Sequence, residues 1–235
     1  MSPSVPALEV VDLTVLRDSR AMVQNVTLTI RAGEATGLWG PNGAGKTTLF
    51  EGLVGLLPVE GTVRVANQDV TGRSPTDCAR SGLVLSPSDR GIFPSLSVRE
   101  NLMAASLILP IPSQRRAQVE AVLSMIPSLA PFLDAEARTL SGGQARLLAL
   151  GRAVSTRPKV LILDEPATGL APKAIESLVS VICHIREAGV GVLIAEQNPR
   201  VLNETVGAVA LIRSGRIDRV GPPEEMLHDE LESVR

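Results

Sequence analysis

Nine residues, Gly40-Pro41-Asn42-Gly43-Ala44-Gly45-Lys46-Thr47-Thr48, constrain the fold of this chain more than any other stretch. They match GxxxxGK[ST], a loop whose glycines let backbone N–H groups curl round phosphate oxygens. The motif carries weight only between a strand and a helix. Residues 34–39 read as a brief strand ending in glycine, and residues 47–53 can be helical, so the required context is present. In such a loop Lys46 reaches the β- and γ-phosphates and Thr47 offers its hydroxyl to Mg2+, with the positive end of the helix behind them. The plainer alternative is a glycine-rich turn holding an incidental lysine.

The rest of the chain supplies the architecture around that loop. Residues 8–15, 26–30 and 62–66 alternate apolar and polar side chains like short strands, and residues 83–85 form a brief apolar run suited to a buried strand. The middle changes character. Ser97 and Glu100 have the spacing of a capping box and open a helix to about residue 109, where Pro110 and Pro112 stop it. A second helix over residues 114–126 ends before Pro127. Strands at 160–163, 190–195, 208–212 and 216–220 follow, the last two joined by a Ser214-Gly215 turn. Between them Ile175, Leu178, Val179, Ile182 and Ile185 mark one face of a helix. This alternation predicts an α/β fold, with a mainly parallel sheet covered by helices and a helical subdomain inserted in its middle.

Composition closes off several function classes. With 235 residues, 44% hydrophobic and 20% charged, the chain suits one large domain with a real core. A net charge of −2 gives no bulk attraction to nucleic acid or to an anionic membrane. Tyrosine is absent and aromatics make up 2%, which removes the stacking platforms of a single-strand binder. Cys78, Cys183, His184 and His228 have no metal-ligand spacing, and the two cysteines read as inert thiols of a reducing compartment. The start Met1-Ser2-Pro3-Ser4 lacks the marks of a signal peptide, and no apolar run reaches the ~18–20 residues of a membrane span. Work at a membrane therefore requires a partner.

Two further motifs add chemistry. Residues 160–163 are a hydrophobic strand ending in Asp164 and Glu165. Alone, that pair is the solvated tip of a buried strand. Beside a phosphate loop, Asp164 is placed to sit behind Mg2+, directly or through water, and Glu165 to orient and deprotonate the attacking water. Leu140-Ser141-Gly142-Gly143-Gln144 opens another helix. Ser141 and Gln144 form a capping box, which an ordinary helix start also shows. Two adjacent glycines are costly there unless backbone must come close to something, and an exposed helix start is a good phosphate site.

That LSGGQ run resembles the signature of ABC ATPases, and the chain is similar to their layout from about residue 8 to 227. The resemblance implies a P-loop NTPase core of ABC type at about residues 1–88 and 155–235. It adds an antiparallel β portion, and a helical subdomain at about 89–154. The cofactor it implies is Mg2+ with ATP. Two ATPase subunits would face head to tail, the ATP on residues 40–48 of one capped by Ser141, Gly142, Gly143 and Gln144 of the other.

The chain departs from the family pattern at several points. Leu16 or Arg17 stands where members stack adenine on an aromatic ring, and an arginine plane can stack on a base. Ser88 takes the place of a glutamine that links Mg2+ to the membrane partner, and it is too short to span the same distance. Gln197 replaces the switch histidine, and Ala167-Thr168-Gly169-Leu170-Ala171-Pro172 replaces a pattern ending in aspartate. The run from Asp164 to Pro172, the Glu196-Gln197-Asn198 triplet, the loop without glutamine ending in Gly91-Ile92-Phe93, and Val98-Arg99-Glu100-Asn101-Leu102 together resemble the smaller ATPase subunit of branched-chain amino acid importers and its relatives for urea and short amides. That branch implies a second, different ATPase subunit, although a chain with both loop and signature can also form a homodimer; it also implies permease subunits and, indirectly, a solute-binding protein. It places the chain at the cytoplasmic face of the membrane. Two other classes stand beside it: a soluble ABC ATPase, for which no coiled-coil insert or tandem domain is present, and a nucleotide-gated module that no longer hydrolyses, against which Glu165 argues.

Overall fold

Residues 5–88 and 91–227 are described by the computed structural model; the Met1–Ser4 start and His228 lie outside them. Strands β1 (Leu8–Arg17), β2 (Arg20–Ile30) and β3 (Ala35–Trp39) lead into helix α1 (Lys46–Leu53). Then come β4 (Val59–Val65), β5 (Gln68–Asp69), α2 (Pro75–Ser81) and β6 (Leu83–Ser86). Helices α3 (Val98–Ser106), α4 (Pro112–Met125) and α5 (Gly142–Ser155) follow, with 3-10 turns at Pro127–Phe132 and Ala137–Thr139 between the last two. The chain returns to sheet with β7 (Val160–Asp164), α6 (Pro172–Glu187), β8 (Gly191–Ala195), α7 (Pro199–Thr205), β9 (Ala208–Arg213) and β10 (Arg216–Gly221).

The larger sheet has the order β10-β9-β3-β8-β7-β6 and is parallel except for β10. Both faces of such a sheet must be covered, so its central strands read as unbroken apolar runs; every residue of β7 and β8 is buried. A second sheet, β2-β1-β4-β5, is antiparallel. Between the two lies one core, in which Leu49, Phe50 and Leu53 of α1 meet Val10, Val15 and Val63 of the antiparallel sheet and Leu38 and Ile162 of the parallel one. The phosphate-loop helix is thus sandwiched by both sheets. A second core covers the other face, joining Leu178 and Ile182 of α6 with Leu148 of α5, and through it Leu102 of α3 and Val122 of α4. Gly151 permits that last contact: a Cβ there would stand 3.1 Å from Val122 and 3.2 Å from Leu102.

Several local expectations change. The helix opened by Ser97 has both halves of its capping box but ends at Ser106, before the prolines. Pro112 does not stop a helix; it occupies the first turn of α4, where its missing N–H costs nothing. Helices α2 and α7 were not anticipated. Each carries a readable start, Ser74 before Pro75 and Asn198 before Pro199, with the side-chain oxygen accepting from a backbone N–H of the first turn.

Candidate nucleotide site

Parallel neighbours end at the same edge. Leu38 of β3 and Asp164 of β7 both lie level with Ala195 of β8, so the segments leaving these strands emerge side by side. They carry residues 40–48, Glu165 and Gln197 respectively. Ligands of open parallel sheets sit at this carboxyl edge.

The phosphate loop keeps its shape through backbone that only glycine adopts easily. Gly43 and Gly45 have φ of 80° and 106°, and a Cβ on Gly40 would lie 2.3 Å from the Ile212 carbonyl oxygen. Gly215, at the turn between β9 and β10, donates its N–H to the Ala44 carbonyl at 2.9 Å and braces the loop from outside. Lys46 is 6% exposed, and its ammonium donates to the carbonyls of Gly40 at 2.7 Å and Pro41 at 3.1 Å. Those bonds hold the charge inside the curl of the loop. The first turn of α1 contains no acidic residue of its own. Thr48 is half-buried behind Thr47.

Thr47 donates its hydroxyl to Asp164 Oδ2 at 2.9 Å. Asp164 is only 4% exposed, and its Oδ1 is buried with no hydrogen-bond partner. Burial pushes the carboxyl above the usual range, the Thr47 hydroxyl works against that shift, and the neighbouring charge of Glu165 adds to it. A hydroxyl and a buried carboxylate with a spare oxygen suit a hard divalent cation that also takes oxygens from phosphate. The donor set fits Mg2+.

Beyond Asp164 the backbone turns sharply, and Glu165 has φ of 46°, a left-handed conformation unusual for its type. Its Oε1 accepts from Gln197 Nε2 at 2.8 Å, and its Oε2 from the Thr168 hydroxyl at 3.2 Å. The same Gln197 amide nitrogen donates to Asn42 Oδ1 at 2.9 Å. Asn42, Gln197 and Glu165 are therefore linked across three loops. Asn42 was expected only as part of the phosphate loop, and Thr168 and the buried Glu196 only as members of sequence patterns, with no role of their own. A buried acid directly after a wholly apolar strand was the signal available for Glu196.

The remaining expected residues are more dispersed. Ser141 caps α5, its hydroxyl accepting from Gln144 N–H at 3.3 Å while Gln144 Oε1 accepts from Ser141 N–H at 2.8 Å. A Cβ on Gly143 would stand 2.9 Å from Ala174 of α6, which gives that glycine a reason within the chain; Gly142 faces open space. Ser88 is exposed, and its carbonyl accepts from Arg146 of α5. A small cavity against Asp164 is bordered by Ser86 and Pro87. Arg17 is ion-paired with Glu51 of α1.

Residues 23–168 match a protein-family model described as "ABC transporter". The "Lipopolysaccharide export system ATP-binding protein LptB" of Haemophilus influenzae is 34% identical over 215 residues, covering 90% of this chain and 89% of that protein. Among solved structures, the ADP conformation of MJ1267, an ATP-binding cassette of an ABC transporter, has a TM-score of 0.85 at 24% identity, covering 97% of this chain and 96% of that one. The dimeric structure of MJ0796, a bacterial ABC transporter cassette, gives 0.79 at 21% identity, over 92% and 98% of the two chains. The two structures share the fold. The name of the curated relative lends no support to the amino-acid importer branch expected from residues 167–172 and 196–198.

Proposed function

This chain belongs to the ABC transporter family of ATP-binding subunits, and from that premise we propose that it hydrolyses ATP through Glu165, with Gln197 as the amide that senses the γ-phosphate. The enzyme is an ABC ATPase whose hydrolysis is coupled to transport. The observation that carries the residue assignment is the Gln197 side chain joined at once to Glu165 and to Asn42 of the phosphate loop.

ATP with Mg2+ supplies a phosphoryl group whose charge is already partly neutralised. The chain's residues do the rest. Lys46 would exchange the Gly40 and Pro41 carbonyls for phosphate oxygens, and Thr47 with Asp164 would hold the cation. Glu165 accepts a proton from water as the water oxygen bonds to the γ-phosphorus and the bond to the bridging oxygen of ADP breaks. Both hydrogens of the Gln197 amide are donated, to Glu165 and to Asn42, so it would give up the Asn42 bond to donate to the γ-phosphate; unlike histidine it carries no proton that titrates near neutrality. In this reading the exposed Ser141–Gln144 turn caps the ATP of a second ATPase subunit, and permeases bring the pair to the membrane. Among the described residues no helix is long and apolar enough to cross one.

Glu165→Gln keeps the size of the side chain and removes the base. Turnover is expected to fall by about 10²-fold or more while ATP still binds by calorimetry. Turnover within twofold of wild type sinks the assignment.

Cargo and direction divide two readings. The relative's name points to export of a lipopolysaccharide, whereas the 167–172 and 196–198 patterns resemble importers of branched-chain amino acids or small amides. Reconstitution with permease subunits that bind it separates them. A leucine-loaded binding protein stimulates turnover in the second case, and a lipopolysaccharide in the first.

A further inference from the structure

Glu196 is 2% exposed, follows β8 directly, and plays no part in the mechanism above. Its carboxylate accepts three backbone N–H bonds. Oε2 takes Ala167 N–H at 2.9 Å, and Oε1 takes Gln197 N–H at 2.8 Å and Asn198 N–H at 2.9 Å. Ala167 belongs to the segment leaving β7, Gln197 and Asn198 to the segment leaving β8. The main-chain ladder joining those strands stops at the Asp164–Ala195 pair, closed by the Glu165 N–H to the Ala195 carbonyl at 2.8 Å. Past that rung the two segments diverge. The Glu196 side chain supplies the bonds the backbone no longer makes.

We propose that Glu196 is the positioning residue of the hydrolytic site: its buried carboxylate fastens the Glu165 loop to the Gln197 loop and so fixes the distance between base and amide. The chemistry requires an anion. A carboxylate is acceptor-only and presents both oxygens, whereas an amide of the same shape turns an NH2 toward N–H groups that need an acceptor. Leaving such donors buried and unpaired is costly, and the loop that suffers is the one holding Glu165 at φ 46°. A strained backbone persists only where its surroundings over-determine it, and Glu196 supplies one of those constraints from the far side of the loop. Glu196 makes no direct bond to the phosphate loop and reaches it only through the Gln197–Asn42 bond, so hydrolysis is expected to suffer more than nucleotide binding in the variant.

The inference rests on the reading that Glu165 and Gln197 serve hydrolysis. Glu196→Gln is expected to lower kcat about 10- to 100-fold while KM and the calorimetric Kd for ATP stay within about threefold. Because Glu196 acts through Gln197 as well as Glu165, the loss in a Glu196→Gln, Gln197→Ala double variant is expected to be clearly less than the product of the single losses. A folded Glu196→Gln protein with kcat within twofold of wild type overturns the proposal. So does a loss carried by weaker ATP binding, or full multiplicativity with Gln197→Ala. Should Glu196→Gln not fold by circular dichroism, Glu196→Asp, which keeps the acceptors but withdraws them by one methylene, is judged by the same criteria. An active Glu165→Gln protein would overturn the underlying reading instead, whatever Glu196 does.

Discussion

Asp164 is a costly residue for the nucleotide-free chain to keep. Its carboxylate is buried, one oxygen has no partner, and burial raises its pKa against the help of the Thr47 hydroxyl. A carboxyl whose folded pKa is raised destabilises the fold while it is ionised; the penalty is full above the raised folded pKa, fades as pH falls through it, and is gone below the ordinary carboxylate value. Asp164→Asn is therefore expected to melt higher than wild type at neutral pH without nucleotide. The rise should be about 2–4 °C, what ~1 kcal/mol produces in a chain of this size, and should shrink toward pH 4. The same variant should lose the stabilisation that Mg2+ with ATP gives wild type. A thermal melt series with and without Mg2+–ATP reads both effects. Gln197 lends itself to a complementary test. Gln197→Ala should cut turnover about tenfold or more, because Glu165 Oε1 loses its donor and the γ-phosphate its amide. Gln197→His should retain much of it and gain a titration near pH 6–7 absent from wild type, readable in a pH–rate profile.

At the scale of elements, the β9–β10 turn matters more than its distance in sequence from the phosphate loop suggests. Gly215 has φ of 76°, and a Cβ there would lie 2.1 Å from the Met22 carbonyl oxygen, so Gly215→Ala must push the turn away from β2 and from Ala44. ATP affinity is expected to weaken at least about tenfold, with a lower melting temperature. Gly72→Ala is the control. Its φ of 63° carries a similar backbone penalty, about 1 kcal/mol, but nothing lies within 4 Å of the added carbon, so ATP affinity should hold. This bracing contact shows where sequence reading reaches its limit. Strands β7 and β8, the Ser97 and Ser141 caps, and the phosphate loop are written in local patterns of residues a few positions apart. The bond from Gly215 to Ala44, the Glu196 clamp and the Arg17–Glu51 pair join segments far apart in sequence, and no periodicity records them. Short helices such as α7 bury too little to show a period, and only their caps betray them.

For the molecule as a whole, the proposed pairing makes activity a property of two chains. The phosphate loop follows β3 while the Ser141–Gln144 turn opens α5, and each chain offers one half of a capped site. Turnover per chain is then expected to fall steeply on dilution, where a self-sufficient site would keep a constant rate. Adding inactive Glu165→Gln chains to dilute wild type distinguishes dimer formation from loss of protein on surfaces, since a real pairing partner changes the rate per wild-type chain. If this chain works beside a different ATPase, that second subunit rather than a copy restores the rate.

Strand β3 lies at the centre of the large sheet between β8 and β9, yet it is made early. Its neighbours follow roughly 150 residues or more later in the chain. A growing polypeptide leaving the ribosome thus displays the glycine loop long before the strands that hold it in shape exist. Until β8 and β9 emerge, residues 40–48 have no rigid edge from which to project, and neither Glu165 nor Gln197 is in place beside them. Nucleotide hydrolysis is then withheld until β8 and the segment carrying Gln197 have been made, so a product truncated before them should hydrolyse no ATP.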